Sequence, residues 1–195
     1  MNNMHSFFCQ IEPESYLVLR NSKEIDSNNR NHQDIDILCD NRWSLARRGN
    51  LQKKNWYGGV HYLLKTESGT ELFDIRTVGD GYYDPKWERD MLERRIQSGC
   101  YYIPSETDYK YSLMYHVVVH KAVIADDYYE YLKEWGCTAR QGIIAELEQF
   151  MRENGYKYVF PKDFGVKVNF DGVSQEMIDN NSKTLLRKTY EFFRR

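Results

Sequence analysis

Close cysteine spacing is absent from this chain. Cys9, Cys39, Cys100 and Cys137 are scattered singly, with neither the CxxC or Cys/His spacing of a zinc site nor the pattern of a disulfide framework. They read as reduced thiols in a cytoplasm-like compartment. Long apolar runs are also missing: nothing approaches the ~20 residues of a membrane span. The stretch Met1-Asn2-Asn3-Met4-His5-Ser6-Phe7-Phe8 lacks the charged region and long apolar core of a secretory leader. A soluble cytoplasmic protein without membrane contact is expected. Nor is there an excess of one charge: 27 basic residues face 29 acidic ones, for a net charge of −2. That balance exerts no global pull toward nucleic acid, which is not an expected partner. There is no internal repeat and no low-complexity linker.

What the chain does hold is 195 residues, enough for a compact domain with a helical extension that buries roughly 70 % of its unfolded surface. Aromatics make up 15 % of it, with 16 tyrosines. Tyrosine stacks on bases and sugars, but it also fills half-buried positions, and packing is its default role.

The first half is strand-rich. Tyr16-Leu17-Val18-Leu19 follows Pro13 and reads as a buried strand. After the polar loop Ser27 to His32, a second strand is expected over 34–39, stopping at Asp40-Asn41. A basic, weakly helical stretch from Trp43 to Lys54 is broken by Gly49-Asn50. Val60 to Lys65 and Glu71 to Arg76 flank a Gly-containing loop and form a hairpin. In its second arm, period two sets Leu72, Asp74 and Arg76 against Phe73 and Ile75. Gly79-Asp80-Gly81 is a turn leading to a helix expected over 86–97. From there the pattern is helical. Asp108 is expected to cap a helix carrying Tyr111, Met114, Tyr115, Val118 and Val119. Further helices are expected after Asp126 or Asp127, after Thr138, and from Ser174 or Ser182 to the end. A short strand is expected over 166–168. The class is α+β: a small mixed β-sheet core over 1–98 and a helical C-terminal part over 99–195.

The feature with most chemistry is Asp34-Ile35-Asp36 at the start of the second strand. Residues two apart on a strand share a face, so the two carboxylates converge while Ile35 and Ile37 bury the other side. Anions that close stay ionised only when a cation or strong donors bridge them. With Asp74 on the polar face of a later strand, three carboxylates meet if the two strands are neighbours. Hard divalent cations take such oxygen ligands. Two of them, roughly 3.5–4 Å apart, support in-line phosphoryl or nucleotidyl transfer.

In this order and spacing the chain resembles the nucleotidyltransferase superfamily with a DNA-polymerase-β-like fold. The resemblance spans about Tyr16 to Arg76: a strand, a turn at Asn21-Ser22, the acidic pair Asp34 and Asp36, and the third acid Asp74. It implies a nucleotidyltransferase core, with Mg²⁺ or Mn²⁺ on Asp34, Asp36 and Asp74 as catalytic and metal-binding residues. It also implies a nucleoside triphosphate as one partner and a small acceptor as the other, with phosphates held by Arg20, Asn21, Ser22, Lys23 and Arg76. Asn21 stands where the family has Gly, the residue that lets backbone N–H groups approach phosphate. Asn tolerates the left-handed conformation better than other non-Gly residues, and Arg20, Lys23 and Arg76 can neutralise phosphate charge. This substitution favours a second reading, a non-catalytic nucleotide- or partner-binding domain that keeps the fold.

The second half is similar to the helical portion of small nucleotidyltransferase-like proteins of surface-glycan and capsule gene clusters. The resemblance rests on Gly79-Asp80-Gly81-Tyr82-Tyr83, Tyr111 to His116, and His120-Lys121. It implies a sugar or polyol acceptor, with Asp80, Tyr82, His116, His120 and Lys121 as acceptor or base contacts. His116 and His120, four apart on one helix face, could also share a metal, but no Glu follows His116 as in a zinc protease, and packing near the cleft is the preferred reading.

Overall fold

The computed structural model describes residues 4–20, 22–25, 34–55, 59–67, 69–121, 126–137, 139–163 and 165–184. The side chains of Lys23, Glu24, Asp126 and Asp127 are excepted. The chain is α+β and divides into two compact units, one of residues 1–78 and 88–105, the other of 79–87 and 106–195.

The first unit is built on a five-stranded sheet of order β1-β2-β5-β4-β3. Its strands are β1 (Tyr16–Arg20), β2 (Ile35–Cys39), β3 (Gln52–Lys53), β4 (His61–Thr66) and β5 (Gly69–Thr77). The β4–β5 hairpin matches the sequence reading, and alternation along β5 sends Phe73 and Ile75 into the core. That core also takes Val18, Ile35, Ile37, Tyr62 and Leu64 from the sheet, and Met4, Phe7, Phe8 and Ile11 from helix α1 (Met4–Ile11). These four recur at the i, i+3, i+4, i+7 positions that give a short helix one apolar stripe. Helix α2 (Ser22–Ile25) follows β1, and helix α3 (Arg42–Arg48) starts on Asn41, whose side chain accepts from the N–H groups of Trp43 and Ser44 and so satisfies two orphan donors. Gly49 ends it, as the break at Gly49-Asn50 predicts.

Two expectations fail in the next segment. The helix expected over 86–97 is α4 (Pro85–Glu93), and Ile96 to Ser98 is instead strand β6, paired antiparallel with β7 (Tyr101–Ile103). Gly99, at φ +61°, supplies the left-handed turn between them, a hairpin that outcompetes continued helix. Asp108 does not cap a helix. It lies within the first turn of α5 (Glu106–Tyr115), fully buried, and accepts a hydrogen bond from Trp87 Nε1 at 3.0 Å.

The second unit holds α5, a π-helix (His116–His120), α6 (Asp126–Glu134) and α7 (Arg140–Asn154). The π-helix coincides with Val117-Val118-Val119, a β-branched run whose side chains crowd an α-helical turn. Trp87 anchors this unit: it stacks on Tyr156 (5.4 Å, 8°) and packs against Tyr83, Tyr115 and Phe150. Past α7 the described residues are irregular. No strand forms over 166–168, and short 3₁₀ turns occupy Gln175–Met177 and Asn180–Ser182. The C-terminal helix expected from Ser174 or Ser182 does not begin at Ser174, where the chain takes these 3₁₀ turns; the rest of that expectation, over 185–195, lies outside the described residues, as do Asn21 and Thr138.

Gly81 shows why a turn residue is required here. Its φ is +82°, and a Cβ would lie 2.5 Å from the Phe160 carbonyl oxygen. Gly81→Ala is expected to cost roughly 2–4 kcal/mol, backbone strain adding to overpacking, read as a lower urea midpoint at unchanged m-value.

Candidate functional site

Strands β2 and β5 run parallel and in register, with Asp36 opposite Asp74. β1 pairs antiparallel with β2 and sets Arg20 opposite Asp36, after an irregularity between Val18 and Arg20. β4 pairs antiparallel with β5 and sets His61 opposite Asp74. Directly paired residues project to the same face, so Arg20, Asp36, Asp74 and His61 make a polar row across four strands. Arg76, two residues after Asp74, shares their face, while the opposite face belongs to the apolar core.

Side by side, the two carboxylates repel, and two guanidiniums offset that repulsion. Arg20 grips Asp36 with both prongs, Nε to Oδ2 at 3.1 Å and Nη2 to Oδ1 at 3.1 Å. Arg76 Nη2 donates to Asp74 Oδ2 at 2.9 Å. The carboxylates are 13 % exposed and the guanidiniums 5 %, so water screens them little. Burial raises the pKa of Asp36 above its ordinary value; the neighbouring charge of Asp74 adds to the rise, and Arg20 and Arg76 oppose it.

One oxygen is left over. Asp74 Oδ1 is buried and has no hydrogen-bond partner among the described residues, and the same holds for Nδ1 of His61. An unsatisfied buried carboxylate oxygen is costly, and native structures seldom keep one without a use. Its chemistry suits a hard divalent cation such as Mg²⁺ or Mn²⁺, which Asp74 and the adjacent Asp36 could hold together once Arg20 shifts from its fork. Asp34 is half-buried, immediately before β2. Among the described residues no three His, Cys, Asp or Glu side chains form a metal-binding group; the structure brings together a pair of carboxylates.

The other expected site residues fall in two places. Ser22 opens the four-residue helix Ser22–Ile25 beside the row's strand β1, and its carbonyl accepts from the Tyr101 hydroxyl at 3.2 Å. Asn21 and the Lys23 side chain lie outside the described residues. Asp80, Tyr82, His116, His120 and Lys121 all belong to the second unit. There Asp80 Oδ1 accepts from the Tyr82 N–H at 2.9 Å, an Asx turn. The buried Tyr82 hydroxyl lies 3.0 Å from His116 Nδ1, and the Tyr82 ring packs on His120 with centroids 4.1 Å apart. Lys121 is exposed just past the π-helix.

His61 is the residue that sequence reasoning missed. The hairpin contained the signal: with Thr66 opposite Gly69, antiparallel counting brings His61 opposite Asp74. Comparison with known proteins adds no further residue. A scan against protein-family models and searches of curated proteins and solved structures returned no match. No helix among the described residues is long and apolar enough to cross a membrane.

Proposed function

We propose that this chain is a metal-dependent nucleotidyltransferase that moves a nucleoside monophosphate from a nucleoside triphosphate to a hydroxyl or phosphate of a small acceptor, such as a sugar or polyol. The observation that carries this reading is the in-register pairing of Asp36 with Asp74 on parallel strands, with Asp74 Oδ1 buried and unpartnered. Asp36 and Asp74 would hold Mg²⁺ or Mn²⁺, with Asp34, immediately before β2, as a third carboxylate for the ion. When bound, the ion supplies positive charge against the triphosphate and the charge that develops during transfer.

The chain's own groups then divide the work. Arg20 and Arg76, now holding carboxylates, are long enough to turn a fork toward phosphate oxygens, a charge-assisted and bidentate contact. In the transfer, the acceptor oxygen bonds to the α-phosphorus and the bond from that phosphorus to the bridging oxygen breaks. Pyrophosphate leaves, and the acceptor hydroxyl's proton passes to the Asp74 carboxylate through Oδ2, which Arg76 releases as it turns toward phosphate. His61, opposite Asp74, would orient the acceptor hydroxyl through its own unpartnered nitrogen.

A second reading is a non-catalytic nucleotide- or partner-binding domain. The ion pairs favour it: two carboxylates met by two guanidiniums are already neutral and do not by themselves demand a cation. Incubating the protein with each nucleoside triphosphate, Mg²⁺ and a panel of polyols and sugar phosphates separates the readings. Transfer predicts pyrophosphate release. A nucleotide-dependent rise in melting temperature without release would move the assignment to binding, and neither signal would remove both.

A further inference from the structure

The second unit contains a cavity of about 400 Å³ whose lining includes His120, Lys121, Lys167, Asn169, Phe170 and Asp171. That volume suits a small metabolite. Its position at the C-terminal end of the π-helix is one sign of use, because π-helical turns are rare and recur at functional sites.

The wall is held in shape. The Asn169 N–H donates to the Val119 carbonyl at 2.8 Å, and the Asp171 N–H donates to Asn169 Oδ1 at 2.9 Å. Arg140 Nη2 donates to the Val118 carbonyl at 2.7 Å, tying α7 to the π-helix. The Phe170 ring packs edge-on against Phe160 with centroids 5.1 Å apart, which fixes one apolar side of the cavity. A preformed concavity of this kind binds a ligand at less entropic cost than a loop that must first order.

Charge then selects the ligand. Lys121 and Lys167 arrive from separate segments at one opening, and among the described residues neither ammonium is in an ion pair. Asp171 supplies the single carboxylate of the lining. Two ammoniums favour a dianion, whereas the carboxylate repels an anion and accepts from hydroxyl groups. The Phe170 ring offers a platform for a carbon skeleton. We propose that this cavity binds a small organic phosphate whose body carries hydroxyl groups, the phosphate between Lys121 and Lys167 and a hydroxyl on Asp171. The site lies wholly within the second unit and does not rest on the reaction proposed for the aspartate pair.

Calorimetric titration of the full chain with glycerol 3-phosphate, inorganic phosphate and glycerol at low ionic strength tests this. The ester should bind saturably, inorganic phosphate more weakly, and glycerol not at all. The double variant Lys121→Gln/Lys167→Gln, exposed changes that leave the circular dichroism spectrum and melting temperature intact, should weaken the ester roughly tenfold or more. Asp171→Asn should narrow the gap between ester and phosphate. No saturable heat from the ester, an affinity unmoved in the double variant, or phosphate binding as tightly as the ester in the wild type would each overturn the proposal.

Discussion

If the proposed transfer holds, Asp36→Asn is expected to lower it roughly 10³-fold, because it removes one of the carboxylates proposed to hold the metal and with it several kcal/mol of transition-state stabilisation. The amide keeps the shape of the carboxylate and can still accept from Arg20, so circular dichroism should be unchanged. Stability offers a check independent of turnover. Burial, with the charge of Asp74, raises the folded pKa of Asp36 above its ordinary 3.8. The folded state therefore binds this proton more tightly than the unfolded state does. In that window, stability falls as pH rises, and above the folded pKa the whole cost of an ionised, buried Asp36 is present. The wild type should thus gain stability relative to Asp36→Asn as pH is lowered through the raised pKa toward 3.8, with no further gain below. Urea titrations of both proteins at a series of pH values read this directly; a pH-independent difference would show that Asp36 is not under the strain described.

The largest stability effect is expected away from the aspartates, at Trp87. Its side chain is fully buried, stacked on Tyr156, and surrounded by Tyr83, Tyr115 and Phe150, and its indole N–H donates to the buried Asp108. Trp87→Ala should cost about 3–5 kcal/mol for the cavity and the lost transfer energy. That is a large fraction of a typical domain's stability. Trp87→Phe keeps part of the ring packing while removing the indole donor and some side-chain volume, and should cost an intermediate amount, about 2–3 kcal/mol. Equal losses in both variants would assign the whole effect to the hydrogen bond with Asp108 and contradict the packing account.

Legibility in the sequence followed the range of the interactions involved. The alternation Leu72, Asp74, Arg76 against Phe73, Ile75 depends only on the two-residue period of a strand, and the structure repeats it. The adjacency of Asp36 and Asp74 depends on β2 lying beside β5 in the order β1-β2-β5-β4-β3, a choice made by packing that no local pattern encodes. The ion pair of Arg20 with Asp36 depends likewise on β1 pairing with β2, whereas Arg76 and Asp74, two apart on β5, share the face that the two-residue period already shows. Helix α1 carries its stripe of Met4, Phe7, Phe8 and Ile11, but eight residues are too few for a helix to be stable without the core beneath it. The π-helix and the buried place of Asp108 under Trp87 are tertiary outcomes: short polar residues such as Asp are common caps, and only the fold decides when one serves as a core acceptor instead.

The central claim is that Asp36 and Asp74 together hold a divalent cation beneath a nucleotide, and a Mn²⁺ titration followed by electron paramagnetic resonance addresses it without waiting for the right acceptor. With a non-hydrolysable nucleoside triphosphate present, the wild type should remove free Mn²⁺ signal beyond what the nucleotide alone removes, and Asp74→Asn should lose that excess. Equal Mn²⁺ retention by wild type and Asp74→Asn, or none by the wild type, would contradict the account.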